Sequence, residues 1–368
     1  MKKELNKYIS KNKNKLIKIA EKICKIPSPT GQEGKKAVFI KKMLDTINPG
    51  IARIDEAGNV LYRYTVSPEK KYSVYAAHID TVFKDIKVIE PKIIADKMYA
   101  PSIGDNTINV AALIFIIKMI KKGIFFPDKN IIFVFNVGEE GLGNLKGIKL
   151  IIENFQQQIE EVIAVDGEYS FVYNAGVGSK RYLVKIKTPG GHSYSDFGNE
   201  SAIRVAAKII AGIYNIIVPE KVKTTYNVGI INGGTSINTI AQECEFNVDL
   251  RSEESDSLLE IENNFLNILN NYQNDNTVIN FELIGERPCG FISIKDDLVQ
   301  RIIETRKELG LEIKFESGST DANLPLSKSI PAISFGVYLG KGAHTTKEYI
   351  DINSLEVGIK HLLYFMLK

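Results

Sequence analysis

The chain is 368 residues long, 44% hydrophobic and 25% charged, with a net charge of +3. That length accommodates two domains with real cores, and the composition is that of a globular protein rather than a disordered or fibrous one. The small charge excess gives no electrostatic case for a nucleic-acid partner, and three widely spaced cysteines, Cys24, Cys244 and Cys289, argue against a disulfide framework or a thiolate metal site and for a reducing cytoplasm.

Most of the excess charge falls in residues 1–25, where Leu5, Ile9, Leu16, Ile19 and Ile23 recur at helical spacing beside a lysine face. This predicts a surface helix, with a membrane-surface helix as the alternative. No signal peptide is read ahead of it and no apolar run is read as long enough to span a membrane, so no membrane partner is expected. Prolines and Gly31 break the helix, and a second one is predicted from about Gln32. Residues 51–64 read as a hairpin around Glu56-Ala57-Gly58-Asn59. A strand over 72–77 ends at His78-Ile79-Asp80, and a hairpin over 87–98 leads to Gly104-Asp105-Asn106. An apolar helix over 107–122 follows, stopped at Gly123. Ile131 to Phe135 is a continuous apolar run without helical period, the pattern of a strand buried on both faces of a mostly parallel sheet. It ends at Gly138-Glu139-Glu140. A helix over 144–155 and a short strand over 162–165, ending at Asp166-Gly167-Glu168, complete this part.

From Lys180 the pattern changes. Strands over 181–188, 224–231, 243–251 and 278–284 alternate with helices over 199–216 and 255–272. The order β-α-β-β-α-β is that of a ferredoxin-like unit. The first of these helices is expected to bury Ile203, Ala206, Ala207, Ile210 and Ile213, the second Leu258, Ile261, Phe265 and Leu269. After Pro288 a helix over 295–309, strands over 311–315 and 332–337, and a helix over 352–367 return to the first pattern. The expected architecture is therefore α/β: a mostly parallel mixed sheet flanked by helices, formed by 1–179 with 287–368, and an inserted ferredoxin-like βαββαβ domain over 180–286.

Ligands in open α/β sheets sit just past the carboxyl ends of strands. His78, Glu140 and Asp166 each follow an apolar strand, Asp105 precedes a helix, and His344 lies in a glycine-rich loop after the last strand. Singly, each admits a structural role: Asp105 as a helix cap, Asp166 as a turn acid, either histidine as a satisfied core residue. Jointly, they are nitrogen and oxygen donors without cysteine, a set suited to zinc, with manganese or cobalt as substitutes. Asp80, two residues beyond His78, is placed to orient its imidazole.

HIDTV, GDN, VGEEG, VDGE, PGGHS, GGTSINTI, VDLRS, STDANLP and GAHTTKEYID occur in this order between Pro27 and the C-terminus. The set resembles the co-catalytic zinc peptidase and deacylase family that includes tripeptide aminopeptidase (peptidase T), acetylornithine deacetylase, succinyl-diaminopimelate desuccinylase and glutamate carboxypeptidase. The resemblance implies two zinc ions bridged by Asp105, one completed by His78 and Asp166, the other by Glu140 and His344, with Glu139 as general base and then general acid. It implies that the inserted domain is a lid through which the chain forms a homodimer, that His192 reaches across that dimer to the tetrahedral oxyanion, and that Asn238 and Arg251 contact substrate. Ala241, where many relatives have proline, and Thr107, where many have lysine or glycine, depart from the family pattern without removing a metal donor. The expected activity is amide hydrolysis of a small peptide, with an N-acyl amino acid deacylase or desuccinylase, or an inactive binding protein on the same scaffold, as alternatives. No G-x-S-x-G elbow supports a nucleophilic hydrolase.

Overall fold

The computed structural model describes residues 2–368. The chain divides into two compact units, one running to Gly176 and resuming as Phe291–Lys368, the other comprising Val177–Gly290.

In the first unit the strand Asn130–Asn136 lies at the heart of a mixed sheet, with every residue buried. It pairs parallel with Tyr72–His78 and antiparallel with Val60–Tyr64. Tyr72–His78 pairs parallel on its other side with Ile159–Ala164, which pairs parallel with Ala332–Ser334. Val172–Gly176 adds an antiparallel neighbour, and Phe315–Gly318 runs parallel to that. The parallel registers decide where chemistry can happen. His78 is level with Asn136, and Ala76 with Ala164, so that His78 and Asp166, each two residues further on, emerge from one end of the sheet.

Helices cover this sheet through the apolar faces their sequences predict. On Lys2–Cys24, Leu5, Ile9, Leu16, Ile19 and Ile23 are all buried, while Lys7, Lys11, Lys15, Lys18 and Lys22 face solvent. This helix packs on Asn109–Lys121 and on the C-terminal helix Leu355–Met366. One expectation needs correcting: Ile103–Lys121 is long and apolar enough to cross a membrane by length and composition, but 89% of it is buried inside the fold, as befits a core helix.

A second correction concerns where that helix begins. Residues 103–108 form an irregular turn in which Asp105 (φ −106°, ψ 90°) and Asn106 (φ −129°, ψ 21°) leave helical geometry, and the regular helix starts at Asn109 rather than Thr107. A third concerns the strand expected over 311–315, which runs instead over Phe315–Gly318. The buried Arg306 claims the preceding backbone: its carbonyl accepts from Leu311 N–H, and its guanidinium donates to the Glu312 carbonyl.

A small antiparallel sheet, Gly340–Lys341, Tyr349–Asp351, Lys97–Tyr99 and Lys92–Ile94, completes the unit. The loop carrying His344 joins its first two strands, and the segment leading to Asp105 leaves its third.

The second unit is a four-stranded antiparallel sheet with two helices. In spatial order its strands are Thr224–Gly233, Glu243–Ser252, Gly178–Lys187 and Val278–Arg287. Numbered along the unit this is 2-3-1-4, the split βαβ arrangement of a ferredoxin-like fold. Helix Ser255–Tyr272 buries Leu258, Ile261, Phe265 and Leu269 as expected. Helix Ala202–Ile213 is turned by about one position from expectation, burying Ala202, Val205, Ala206, Ile209 and Ile213 and leaving Ile203 44% exposed. Arg204, bonded through both its Nε and Nη2 to Glu200, and Lys208 fix the solvent side, and Ile203 and Ala207 lie next to them. Truncating Ile209 to Ala should therefore cost the unit ~2–5 kcal/mol, and Ile203→Ala within ~0.5 kcal/mol, in urea unfolding followed by circular dichroism. Equal costs would contradict the observed face.

Candidate metal centre

His78 ends its strand fully buried, and its ring is held from behind. Nδ1 lies 3.2 Å from the Asp80 carbonyl and 3.6 Å from the Asp80 carboxylate, which turns Nε2 toward the end of the sheet. There Nε2 sits 2.9 Å from Asp105 Oδ1 and 3.7 Å from Asp166 Oδ1. The other Asp105 oxygen, Oδ2, lies 2.9 Å from His344 Nε2, which is also 3.1 Å from Glu140 Oε1. Two donor sets thus share one carboxylate: His78, Asp105 and Asp166, and Asp105, Glu140 and His344. Glu139 joins a third set with His78 and Glu140, all donor atoms within 4.8 Å of one another.

This arrangement requires positive charge. With Nδ1–H donated to the Asp80 carbonyl, Nε2 of His78 presents a lone pair to a carboxylate oxygen, and only a proton or a cation between them removes the repulsion. The titration behaviour follows. The neighbouring Asp105 and Glu140 push the His344 imidazole up to about 11. Burial opposes the same effect at His78, but Asp105, Asp166 and Asp80 outweigh it and raise that imidazole well above its usual range. Desolvation opposes the charge of the half-buried Asp105, but the two histidines hold it well below the usual carboxylate range, while burial raises Glu140 against the pull of His344. The donors fit a divalent cation. Around a tetrahedral zinc with bonds of ~2.0–2.2 Å, neighbouring donor atoms sit about 3.3 Å apart, inside the 2.9–3.7 Å spread seen here.

Asp80 does more than face His78. Its Oδ1 accepts the backbone N–H of Glu139 at 3.1 Å, and its Oδ2 accepts that of Glu140 at 2.9 Å and the Thr30 hydroxyl at 2.9 Å. One buried aspartate thereby fixes the imidazole, through its carbonyl, and the turn bearing the paired acids, through its carboxylate. Burial disfavours its charge, but His78 and the two backbone donors prevail and keep it below its usual range.

Two further anchors escaped sequence reasoning. The Glu348 carboxylate accepts the backbone N–H groups of Ser102, Gly104 and Asp105, each at 2.7 Å, and so sets the turn from which Asp105 projects. Gly104 is required there, because a Cβ would lie 2.6 Å from the Tyr338 hydroxyl and 2.8 Å from Glu348 Oε1. Asp321, pushed up to about 7 by burial, accepts from Asn136 Nδ2 at 2.6 Å beneath the Glu139 turn. The one signal available in sequence was that Glu348 and Asp321 both lie inside quoted motifs.

The second unit holds the other predicted residues. His192 is exposed; its Nδ1 accepts from the backbone N–H groups of Tyr194 and Ser195, and its own N–H donates to Asp196. It pairs with Thr239, next to Asn238, whose carbonyl accepts from Ser193 N–H. Arg251 is not brought to them. It bonds Asp249 at 2.6 Å and pairs with Ser179, at the end of its strand where the chain enters the unit, whereas the His192–Thr239 pair adjoins the Glu243 end.

Comparison with known proteins decides the family. The model of Peptidase family M20/M25/M40 matches residues 74–368. The chain belongs to this peptidase family. Membership places it among metal-dependent hydrolases. A Schizosaccharomyces pombe peptidase M20 domain-containing protein is 27% identical over 252 residues, 65% of this chain, and the match spans 60% of that protein's length. A Staphylococcus aureus tripeptidase structure superimposes with a TM-score of 0.80 at 22% identity, over 96% of this chain and 98% of that one. A dinuclear metal-binding peptidase of Bacillus subtilis does so with 0.68 at 15% identity, over 97% and 98%. At these identities the structural likeness establishes the fold, a mostly parallel sheet flanked by helices.

For this M20 peptidase, removing the Glu348 clamp should release three backbone donors and loosen Asp105. Glu348→Ala is expected to weaken divalent-cation binding about 10–100-fold, the usual cost of losing an outer partner of a metal ligand, read by competition with a chromophoric chelator. Unchanged affinity in a folded variant would separate Glu348 from the centre.

Proposed function

We propose that this chain hydrolyses an amide bond in a small peptide, at a centre of two zinc ions, with cobalt or manganese able to substitute. The observation that carries the reading is Asp105, whose two oxygens each lie 2.9 Å from a different imidazole. In this reading His78, Asp105 and Asp166 would hold one ion, and Asp105, Glu140 and His344 would hold the other. Bound divalent cations supply Lewis acidity toward a carbonyl and make water more acidic.

The chain's own residues do the rest. Asp80 fixes the tautomer and orientation of His78 and presents the Glu139-Glu140 turn. Glu139, buried and within 4.8 Å of His78 and Glu140 donor atoms, takes a proton from the attacking water and returns it to the leaving amine. A cavity of about 630 Å³ beside Glu140, walled by Thr81, Gly138, Gly141 and Leu142, is of the size that takes a small ligand, and its wall carries both acids, Glu33 and Glu140, and lysines, Lys84 and Lys146. The likeness in fold to the S. aureus tripeptidase supports a short peptide as substrate.

In the same reading the inserted unit pairs two copies of the chain. His192 contributes to oxyanion stabilisation in the partner's site, with Asn238 beside it contacting substrate. Arg251, at the opposite end of its strand, contacts substrate independently of that pair. Three free, buried cysteines support a reducing cytoplasm as the working compartment.

Glu139→Gln should leave cation binding within a few-fold of wild type and lower turnover of tripeptides by about 10²–10⁴-fold. Turnover that survives the substitution removes Glu139 from the base role, and activity that persists after exhaustive chelation removes the metal reading. Mixing His192→Ala chains with Glu139→Gln chains should restore part of the activity missing from either alone, measured on isolated mixed dimers. Absence of recovery there would assign His192 to its own subunit or to no catalytic role.

A further inference from the structure

Outside the metal centre the first unit contains a cavity of about 470 Å³ between the helices Lys2–Cys24, Gly34–Ile47 and Asn109–Lys121. Its rim carries Lys15, Lys18, Lys22, Lys118, Lys121 and Lys122. No acidic residue lines it, and among the described residues none of the six makes a salt bridge. Lys121 reaches only the amide oxygen of Asn48, at 3.2 Å. Burial, and then the charges of Lys22 and Lys122, pull the Lys118 ammonium below its usual range. Two separate helices, Lys2–Cys24 and Asn109–Lys121 with the Lys122 that caps it, therefore direct unneutralised cations at one hollow, in a chain with 44 acidic residues to draw on.

Local structure accounts for little of this charge. Lysines in a last helical turn complement the macrodipole, but each helix end carries only about half a charge, far short of six ammonium groups. The floor is apolar, formed by Tyr8, Ile19, Met43, Ile47 and Phe115. Ile19 and Phe115 are buried, and Tyr8, Met43 and Ile47 are half-buried. The apolar surface is thus recessed below the cations rather than projecting past them, the reverse of a membrane-inserting face. A recessed apolar floor under a cationic rim, at a volume typical of ligand sites, suits a small molecule with an apolar or planar body and more than one negative charge.

We propose that this cavity binds a small organic polyphosphate of the nucleotide type, at a site separate from the metal centre. The lysines neutralise the phosphates as point charges and the floor takes the ring system. Occupancy there would stabilise the contact between the N-terminal helix and the helix that follows Asp105, by binding only the folded form.

The test is calorimetric titration of the full chain with ADP in excess magnesium, so that the nucleotide does not strip the protein's own cations. Wild type is compared with Lys18→Glu/Lys118→Glu/Lys122→Glu and with a control of equal charge change on other elements, Lys149→Glu/Lys295→Glu/Lys328→Glu. The proposal expects ADP binding that weakens at least about tenfold in the groove variant, by some 1.4 kcal/mol or more, and less than about twofold in the control. Retained cation affinity at the metal centre shows that the groove variant is folded. No binding by wild type, or equal weakening in both variants, overturns the proposal. So does binding of anionic phosphatidylserine vesicles, without ADP binding, that is lost in the groove variant, because the patch would then serve a lipid surface.

Discussion

The Asp105 carboxylate lies between two imidazoles, one on a strand of the large sheet and one on a loop of the small sheet, at 2.9 Å from each. A half-buried carboxylate so placed is stable only with positive charge on both sides. That requirement explains features that otherwise look unrelated. The turn carrying Asp105 abandons helical geometry at Asp105 and Asn106, Gly104 yields space to Tyr338 and Glu348, and Glu348 spends its carboxyl on three backbone N–H groups rather than on a cation. His344 itself takes a left-handed backbone at φ 63°, a region unfavourable for most side chains though less so for histidine, just after Gly342 at φ 83°. Local conformational cost is concentrated where the donors must meet.

Much of this was legible because the centre sits at strand ends. A strand buried on both faces reads as an unbroken apolar run, and the first acids or histidines after it mark where the sheet opens to ligand. That reasoning located His78, Glu140 and Asp166 without any view of their neighbours, and the parallel register then brings His78 and Asp166 level. Helix Ser255–Tyr272 was equally plain, since its apolar residues recur on one stripe with polar residues elsewhere.

What stayed hidden was set by partners distant in sequence. Glu348 holds Ser102 across 246 positions, and Asp321 holds Asn136 across 185. Such pairs leave no local period to read. The helix Ala202–Ile213 failed for a different reason: with Ala, Ile and Val on several sides, its apolar content admits more than one stripe, and only the positions of Arg204 and Lys208 select the solvent face. Arg251 shows the same limit in a strand. Its motif matched, but adjacency to His192 and Asn238 depends on which end of a ten-residue strand it occupies, and the pairing puts it at the other end.

Asp80 links His78 to the turn that carries the paired glutamates. It contacts both the back of a donor imidazole and the backbone of the paired glutamates. Orientation of His78 and presentation of Glu139 and Glu140 are therefore not independent properties. A carboxylate that shifted to improve one contact would lengthen another, and its two oxygens already serve three other donors besides facing the imidazole. Its low proton affinity has the same origin, because every one of those contacts favours the charged form over burial's pull toward neutrality. The centre is consequently organised from behind. The residues that face outward from it are held by two acidic side chains, Asp80 and Glu348, that accept from backbone N–H groups, leaving the positive charge that Asp105 demands to come from the front.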